Sequence, residues 1–198
     1  MFFRLLQAVL SALLFSTAAS YAAQKQLAIG GPTSQPIGHY GFCQRLPAEC
    51  RSNAKDYRLV LTRGMLLQIS GINRRVNESV RPRNDIDVYG RDEWWALPSD
   101  VGDCEDYALL KRQLLHQAGI PLSSLLIGVV RQKNGDGHAV LVVRTTRGNL
   151  VLDNLTDKIR PWDEVPYRWL KVQAPEHSGK WRTVNLVDLD PATASLSE

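Results

Sequence analysis

The hydrophobic period of the chain changes at Gly119, and that change limits the folds open to it more than any other feature. Before it, apolar residues recur at helical spacing; after it, they gather in short stretches rich in Val, Leu and Ile. From Cys104 to Ala118, Tyr107, Leu110 and Leu114 follow i, i+3, i+7, with Ala108, Leu115 and Ala118 as a neighbouring stripe. Asp103 stands where an N-cap belongs, and Gly119 with Pro121 stops the helix. Residues 125–132 and 139–145 then read as strands joined by the turn Asn134-Gly135-Asp136-Gly137. Residues 150–152, 169–173 and 181–184 read as further strands. Upstream, Val60, Leu67, Ile69, Ile72, Val76 and Val80 predict one amphipathic helix within residues 54–80, ended by Arg81-Pro82. Residues 85–101 have loop chemistry. Helices followed by an antiparallel sheet define an α+β domain.

The start of the chain is not expected to belong to that domain. Arg4 precedes an apolar run over residues 5–15, followed by small residues, which is the pattern of a signal peptide over residues 1–22, cleaved after Ala22. The run is shorter than the roughly 20 apolar residues of a membrane-spanning helix, and no later stretch is long enough. The expectation is a periplasmic or secreted protein without stable membrane insertion. With 44% hydrophobic and 22% charged residues, positions 23–198 read as a single domain able to bury a proper core. Within it, residues 23–42, rich in Gly and Pro, read as an irregular leader and residues 186–198 as a frayed tail. The formal charge is only +4 and the signs are interspersed, so no nucleic-acid partner is expected.

Export bears on the three cysteines, because an oxidising compartment favours pairing and an odd number leaves one over. Cys43 and Cys50 lie seven apart around Pro47 and are expected to form a disulfide, although two other pairings satisfy the arithmetic. Cys104 is then the free thiol. At the first turn of a helix, the dipole and unpaired N–H groups lower a thiol pKa. Asp103, Glu105 and Asp106 push the other way, which calls for a bound cation or a paired imidazolium. His138, where the turn meets a strand, is the candidate base. Asp153, at the end of the next strand, is the candidate that holds its tautomer. Plainer roles stand beside these: Cys104 as a small buried side chain, Asp103 as a cap, Asp153 as a turn former and His138 as a hairpin end. The pair Trp94-Trp95 is either core packing or a cleft wall with an indole donor near an oxyanion. His39, His116 and His177 have no matching partner pattern.

Four blocks then carry a resemblance: Trp94-Trp95-Ala96-Leu97-Pro98, Gly102-Asp103-Cys104-Glu105-Asp106-Tyr107-Ala108, Gly137-His138-Ala139-Val140-Leu141 and Leu152-Asp153-Asn154. Over roughly residues 36–175 the chain resembles the bacterial transglutaminase-like cysteine proteinases, with the LapG-type periplasmic adhesin proteases as their best-studied branch. The resemblance implies a papain-like, transglutaminase-core α+β domain, with Cys104 as nucleophile, His138 as base and Asp153 as orienter. It also implies Ca²⁺ at Asp103 and Glu105, whose hard oxygens suit that ion. The implied substrate is a large surface adhesin cut beside paired alanines, and the implied regulator an inner-membrane cyclic-di-GMP receptor. The Cys43–Cys50 pair and the Leu109–Leu115 segment depart from that branch towards exported relatives of undefined substrate. The function expected is a periplasmic cysteine endopeptidase working through an acyl-enzyme. Transglutaminase-type acyl transfer to an amine, and a non-catalytic binding scaffold with the same fold, are the alternatives.

Overall fold

A computed structural model describes residues 26–185, so the proposed signal peptide and the C-terminal tail lie outside the described residues. The elements, in chain order, are β1 (Ile29–Thr33), α1 (Ile37–Arg45), α2 (Arg63–Ser79), β2 (Arg81–Pro82), α3 (Asp85–Tyr89), β3 (Val101–Gly102), α4 (Cys104–Gln117), β4 (Leu125–Arg131), β5 (Gly137–Thr145), β6 (Gly148–Leu152), β7 (Arg160–Pro161), β8 (Arg168–Ala174) and β9 (His177–Val184). Seven strands form one antiparallel sheet in the order β1-β9-β8-β4-β5-β6-β7, and β2 pairs with β3 in a small parallel ribbon. The α+β architecture is as the sequence predicts. Among the described residues, no helix is long and apolar enough to cross a membrane.

Helix α4 is the central element. Its Ala108, Leu109 and Leu115 pack with Ile127, Leu141, Val143 and Leu152 of the sheet. The adjoining stripe of Tyr107, Leu110 and Leu114 meets Val76 and Val80 from the α2 side. Two apolar stripes on one helix are what a position between a sheet and a second helix requires. The opposite face of the sheet has its own core, built on Val130, Val140, Val142, Val151, Trp162, Trp169 and Val172. Strand alternation sorts the two sets, since neighbouring residues of a strand face opposite ways.

The leader is the main correction. Residues 29–33 form an edge strand paired with β9, and residues 37–45 form a helix. Pro32 is tolerated because an edge strand need not donate every N–H. Gly38 is a close-approach residue rather than a loop former: a Cβ there would lie 2.4 Å from the Trp95 ring. Composition read these Gly and Pro residues as irregular because it does not show what presses against them. The helix expected within residues 54–80 begins only at Arg63, where Thr62 caps it by accepting from Met65 N at 3.1 Å. Residues before it are held extended: Leu59 N donates to Arg144 O and Thr146 N to Leu59 O, each at 2.9 Å. The 85–101 segment is mostly loop, with the single short helix α3 ended by Gly90 in the left-handed region at φ 66°.

Cys43 and Cys50 form the expected disulfide, leaving Cys104 as the free cysteine. The bridge joins α1 to the one-turn 3₁₀ segment Pro47–Cys50 and lies beside the buried His39. Trp181 Nε1 donates to His39 Nδ1 at 3.1 Å, and Trp95, Trp181 and Phe42 pack around the ring. His39 is thus a core hub, and burial, with Arg112 adding repulsion, lowers its pKa to about 3.

Candidate active site

The turn Asn134–Gly137, with Gly135 at φ 97°, reverses the chain between β4 and β5 and sets His138 at the second position of β5. In the β5–β6 register Leu141 faces Leu152. One step further, Asp153 falls opposite Val140 and diagonal to His138, a spacing that side chains on one face can bridge. His138 Nε2 and Asp153 Oδ1 lie 2.9 Å apart, and the two residues are 5% and 4% exposed. Asp153 Oδ1 also accepts from Leu155 N at 3.0 Å, and Oδ2 accepts from the Tyr167 hydroxyl at 2.5 Å. Burial raises the Asp153 pKa, but the donors His138, Tyr167 and Leu155 outweigh it, and the carboxyl sits below its ordinary value.

Cys104, half-buried, opens α4 and reaches the same strand. Its Sγ accepts from Ala139 N, the residue after His138, at 3.3 Å. The thiol donates to Glu105 Oε2 at 3.0 Å. Of the two opposing influences on the thiol pKa read from the sequence, the acidic neighbours prevail over the helix start. Burial raises that pKa well above the usual value, the Glu105 carboxylate adds to the rise, and the Ala139 N–H offsets only part. Lost solvation, with a carboxylate beside the sulfur, outweighs the fractional charge of a helix terminus.

The acidic residues around the cysteine sort into two groups. Glu105 turns to the thiol. Asp103 takes the N-cap position but makes no side-chain capping bond; instead it clusters with Asp85 and Asp106, the three offering carboxylate oxygens within 4.8 Å of one another. Asp106 Oδ1 accepts from Ala96 N at 2.7 Å, and Asp85 Oδ2 accepts from Trp94 N. The remaining buried oxygens, Asp85 Oδ1, Asp103 Oδ1 and Asp106 Oδ2, have no hydrogen-bond partner. Burial pushes the Asp103 and Asp106 pKa values up to about 8, with neighbouring carboxylates adding to the rise, and burial raises Asp85 and Glu105 as well. Gly102 makes room for this arrangement, because a Cβ there would lie 2.7 Å from the Asp106 carboxylate. Three buried hard oxygens with no hydrogen-bond partner and, among the described residues, only the field of Arg45 reaching Asp85 and Asp106, match the donor chemistry of a calcium site.

Trp95 is core, as the plainer reading had it. It is 2% exposed, packs edge-on to His39 and Trp181, and its indole N–H points to Glu93 Oε2 at 3.4 Å rather than to the thiol. Trp94 lies under the guanidinium of Arg45, 3.5 Å from its ring centroid, with Arg91 at 4.5 Å. The Trp95 indole N–H is thus directed at a carboxylate, while the Trp94 ring face is covered by two guanidinium groups. Asp85 and Tyr167 were absent from the candidate residues read from the sequence, and Asp106 was read only as an acid near the cysteine. Asp106 had a signal, its place in the Asp-Cys-Glu-Asp run; Asp85 and Tyr167 had none, since only the fold of two loops brings them in.

A family model described as bacterial transglutaminase-like cysteine proteinase matches residues 29–188. Among solved structures, calcium-bound LapG of Legionella pneumophila is 25% identical with a TM-score of 0.49, the match covering 54% of this chain and 64% of that chain. An EGTA-treated structure of LapG from the same organism is 24% identical with a TM-score of 0.48, covering 54% and 62%. The chain thus spans less than two thirds of the LapG chains it matches. No curated protein matches it.

Proposed function

The chain belongs to the bacterial transglutaminase-like cysteine proteinases, and on that premise we propose that it is an exported cysteine endopeptidase with Cys104 as nucleophile, His138 as general base and Asp153 as the residue that orients the imidazole. The observation that carries this reading is that Cys104 Sγ touches the backbone N–H of Ala139 while the preceding residue, His138, is bound to Asp153. Asp153 occupies Nε2, which leaves Nδ1 as the ring nitrogen with no hydrogen-bond partner among the described residues. Nδ1 takes the thiol proton as Sγ attacks the peptide carbonyl carbon, giving a tetrahedral oxyanion. The C–N bond then breaks, His138 returns the proton to the leaving amine, and a thioester remains on Cys104. Water, deprotonated by the same imidazole, attacks the thioester, releasing the acid and restoring the thiol.

The Asp85, Asp103 and Asp106 carboxylates are the residues proposed to hold calcium, with Glu105 beside them. When bound, the ion supplies positive charge to a carboxylate cluster that otherwise feels only the field of Arg45. Cys104, for its part, must exchange its Glu105 acceptor for the imidazole before it can react.

The proposal extends to a single domain over residues 23–198, released from a signal peptide over residues 1–22 into the periplasm or medium. The substrate is an envelope or surface protein, with a large adhesin and an inner-membrane cyclic-di-GMP receptor as the substrate and regulator the family resemblance suggests. Comparison of newly formed protein N-termini in cell envelopes carrying active protein or Cys104→Ala tests this. Cleavages confined to the active protein support the reading, and identical N-termini in both overturn it. Incorporation of a labelled primary amine in place of new N-termini would instead identify acyl transfer.

A further inference from the structure

Tyr167 is held by the chain between β7 and β8, directly after Pro166, and it touches both partners of the His138–Asp153 pair. Its hydroxyl donates to Asp153 Oδ2 at 2.5 Å. Its ring meets the His138 ring edge-on, with centroids 5.4 Å apart and planes at 62°. We propose that Tyr167 is a positioning residue for the reaction: its hydroxyl fixes the Asp153 carboxylate while its ring fixes the plane of the His138 imidazole. This inference rests on the assignment of His138 and Asp153 to the reaction.

The chemistry of the contacts explains why a tyrosine suits the task. Asp153 has two acceptor oxygens and three donors converge on them: His138 and Leu155 N on Oδ1, Tyr167 on Oδ2. Without the Tyr167 donor, Oδ2 loses its hydrogen-bond partner, the carboxylate is held through Oδ1 alone, and it can turn about that oxygen, taking the imidazole with it. Burial, reinforced by Asp153, raises the phenol pKa further, so the hydroxyl stays a donor at neutral pH. A phenylalanine would keep the ring contact and lose the hydrogen bond, whereas a leucine would lose both. Other charged groups facing this pair are Lys111 of α4, whose field reaches Asp153 and Asp157, and Arg160 of β7, whose field reaches Tyr167.

The experiment compares wild type, Tyr167→Phe and Tyr167→Leu of the full mature chain in two readouts. The first is ¹⁵N NMR of labelled histidine, with His138 assigned through His138→Gln. It reports tautomer and titration of His138 directly, and is therefore not confused by titration of Lys111. The second is kcat and KM for a peptide spanning a cleavage site found by the N-terminus comparison. The proposal expects His138 held as one tautomer, with the proton on Nε2, in wild type and mixed tautomers in Tyr167→Phe. It also expects a roughly tenfold fall in kcat for Tyr167→Phe, with KM within twofold, and a larger fall for Tyr167→Leu. Unchanged His138 signals in Tyr167→Phe overturn it, whatever the activity. If the wild type cleaves nothing while Tyr167→Phe still mixes the tautomers, the positioning stands and the protease reading falls.

Discussion

His138 Nε2 sits 2.9 Å from Asp153 Oδ1 in a site that excludes most water, and the pairing decides which imidazole nitrogen can accept a proton. A carboxylate on Nε2 keeps that nitrogen protonated and leaves Nδ1 as the base. Asp153→Asn keeps the volume and removes the charge. We expect kcat to fall by about a hundredfold or more with little change in KM or melting temperature. Steady-state kinetics on a mapped cleavage site will check this, and a loss below threefold would contradict the role.

Calcium is expected to stabilise the protein, and more so at pH 8 than at pH 5. Asp103 and Asp106 have folded pKa values raised to about 8 from an ordinary 3.8. In the metal-free protein, their contribution to stability is therefore greatest below about pH 4. It declines as pH rises through 8 and both carboxyls ionise beside other buried carboxylates. A cation competes with those protons, so the calcium-induced rise in melting temperature shrinks as the site protonates. Thermal melts in calcium and in chelator across that range test the sign. A calcium effect that is absent, or that grows towards acid, would be inconsistent with this site.

Gly102→Ala isolates the carboxylate cluster from the nucleophile. The added methyl would meet the Asp106 carboxylate at 2.7 Å, so Asp106 must move. We expect the variant to fold and to lose most of the calcium-induced rise in melting temperature. Calorimetric titration showing wild-type calcium affinity would count against the assignment of Asp106.

Cys43→Ser/Cys50→Ser is expected to cost about 2 kcal/mol of folding stability, the entropy of closing so short a loop. The loss should appear as a lower urea midpoint, matching wild type in reductant. Activity per folded molecule should be retained, because the bridge packs on the core residue His39 and not on the His138–Asp153 pair. Equal midpoints for oxidised wild type and the double variant would show that the bridge contributes nothing.

Much of the fold was legible because α4 and the central strands carry their periods openly: the helix expected from Cys104 and the strands around residues 125–145 appear nearly where predicted. The N-terminal region was not, since Gly38 and Pro32 are there for a close ring contact and an edge position, neither of which has a local signature. The candidate site divides the same way. His138 and Asp153 stand at the ends of paired strands, where a two-residue period predicts a shared face. Asp85 is brought to Asp103 and Asp106 by a loop and a one-turn helix, and Tyr167 by a loop before β8, so their roles are tertiary facts. The raised thiol pKa of Cys104 reflects the same limit: the sequence shows three acids near the sulfur but not which one turns towards it.

The central claim is that Cys104 carries the acyl group during peptide cleavage. The most direct measurement is the intact mass of the protein after acid quench during turnover of a mapped substrate peptide. The account predicts an added mass equal to the N-terminal fragment, located on Cys104, released by hydroxylamine and absent in Cys104→Ala. Cleavage that proceeds in Cys104→Ala would contradict it, as would turnover by wild type of an activated ester of the same peptide, where acylation outruns hydrolysis, with no added mass on Cys104.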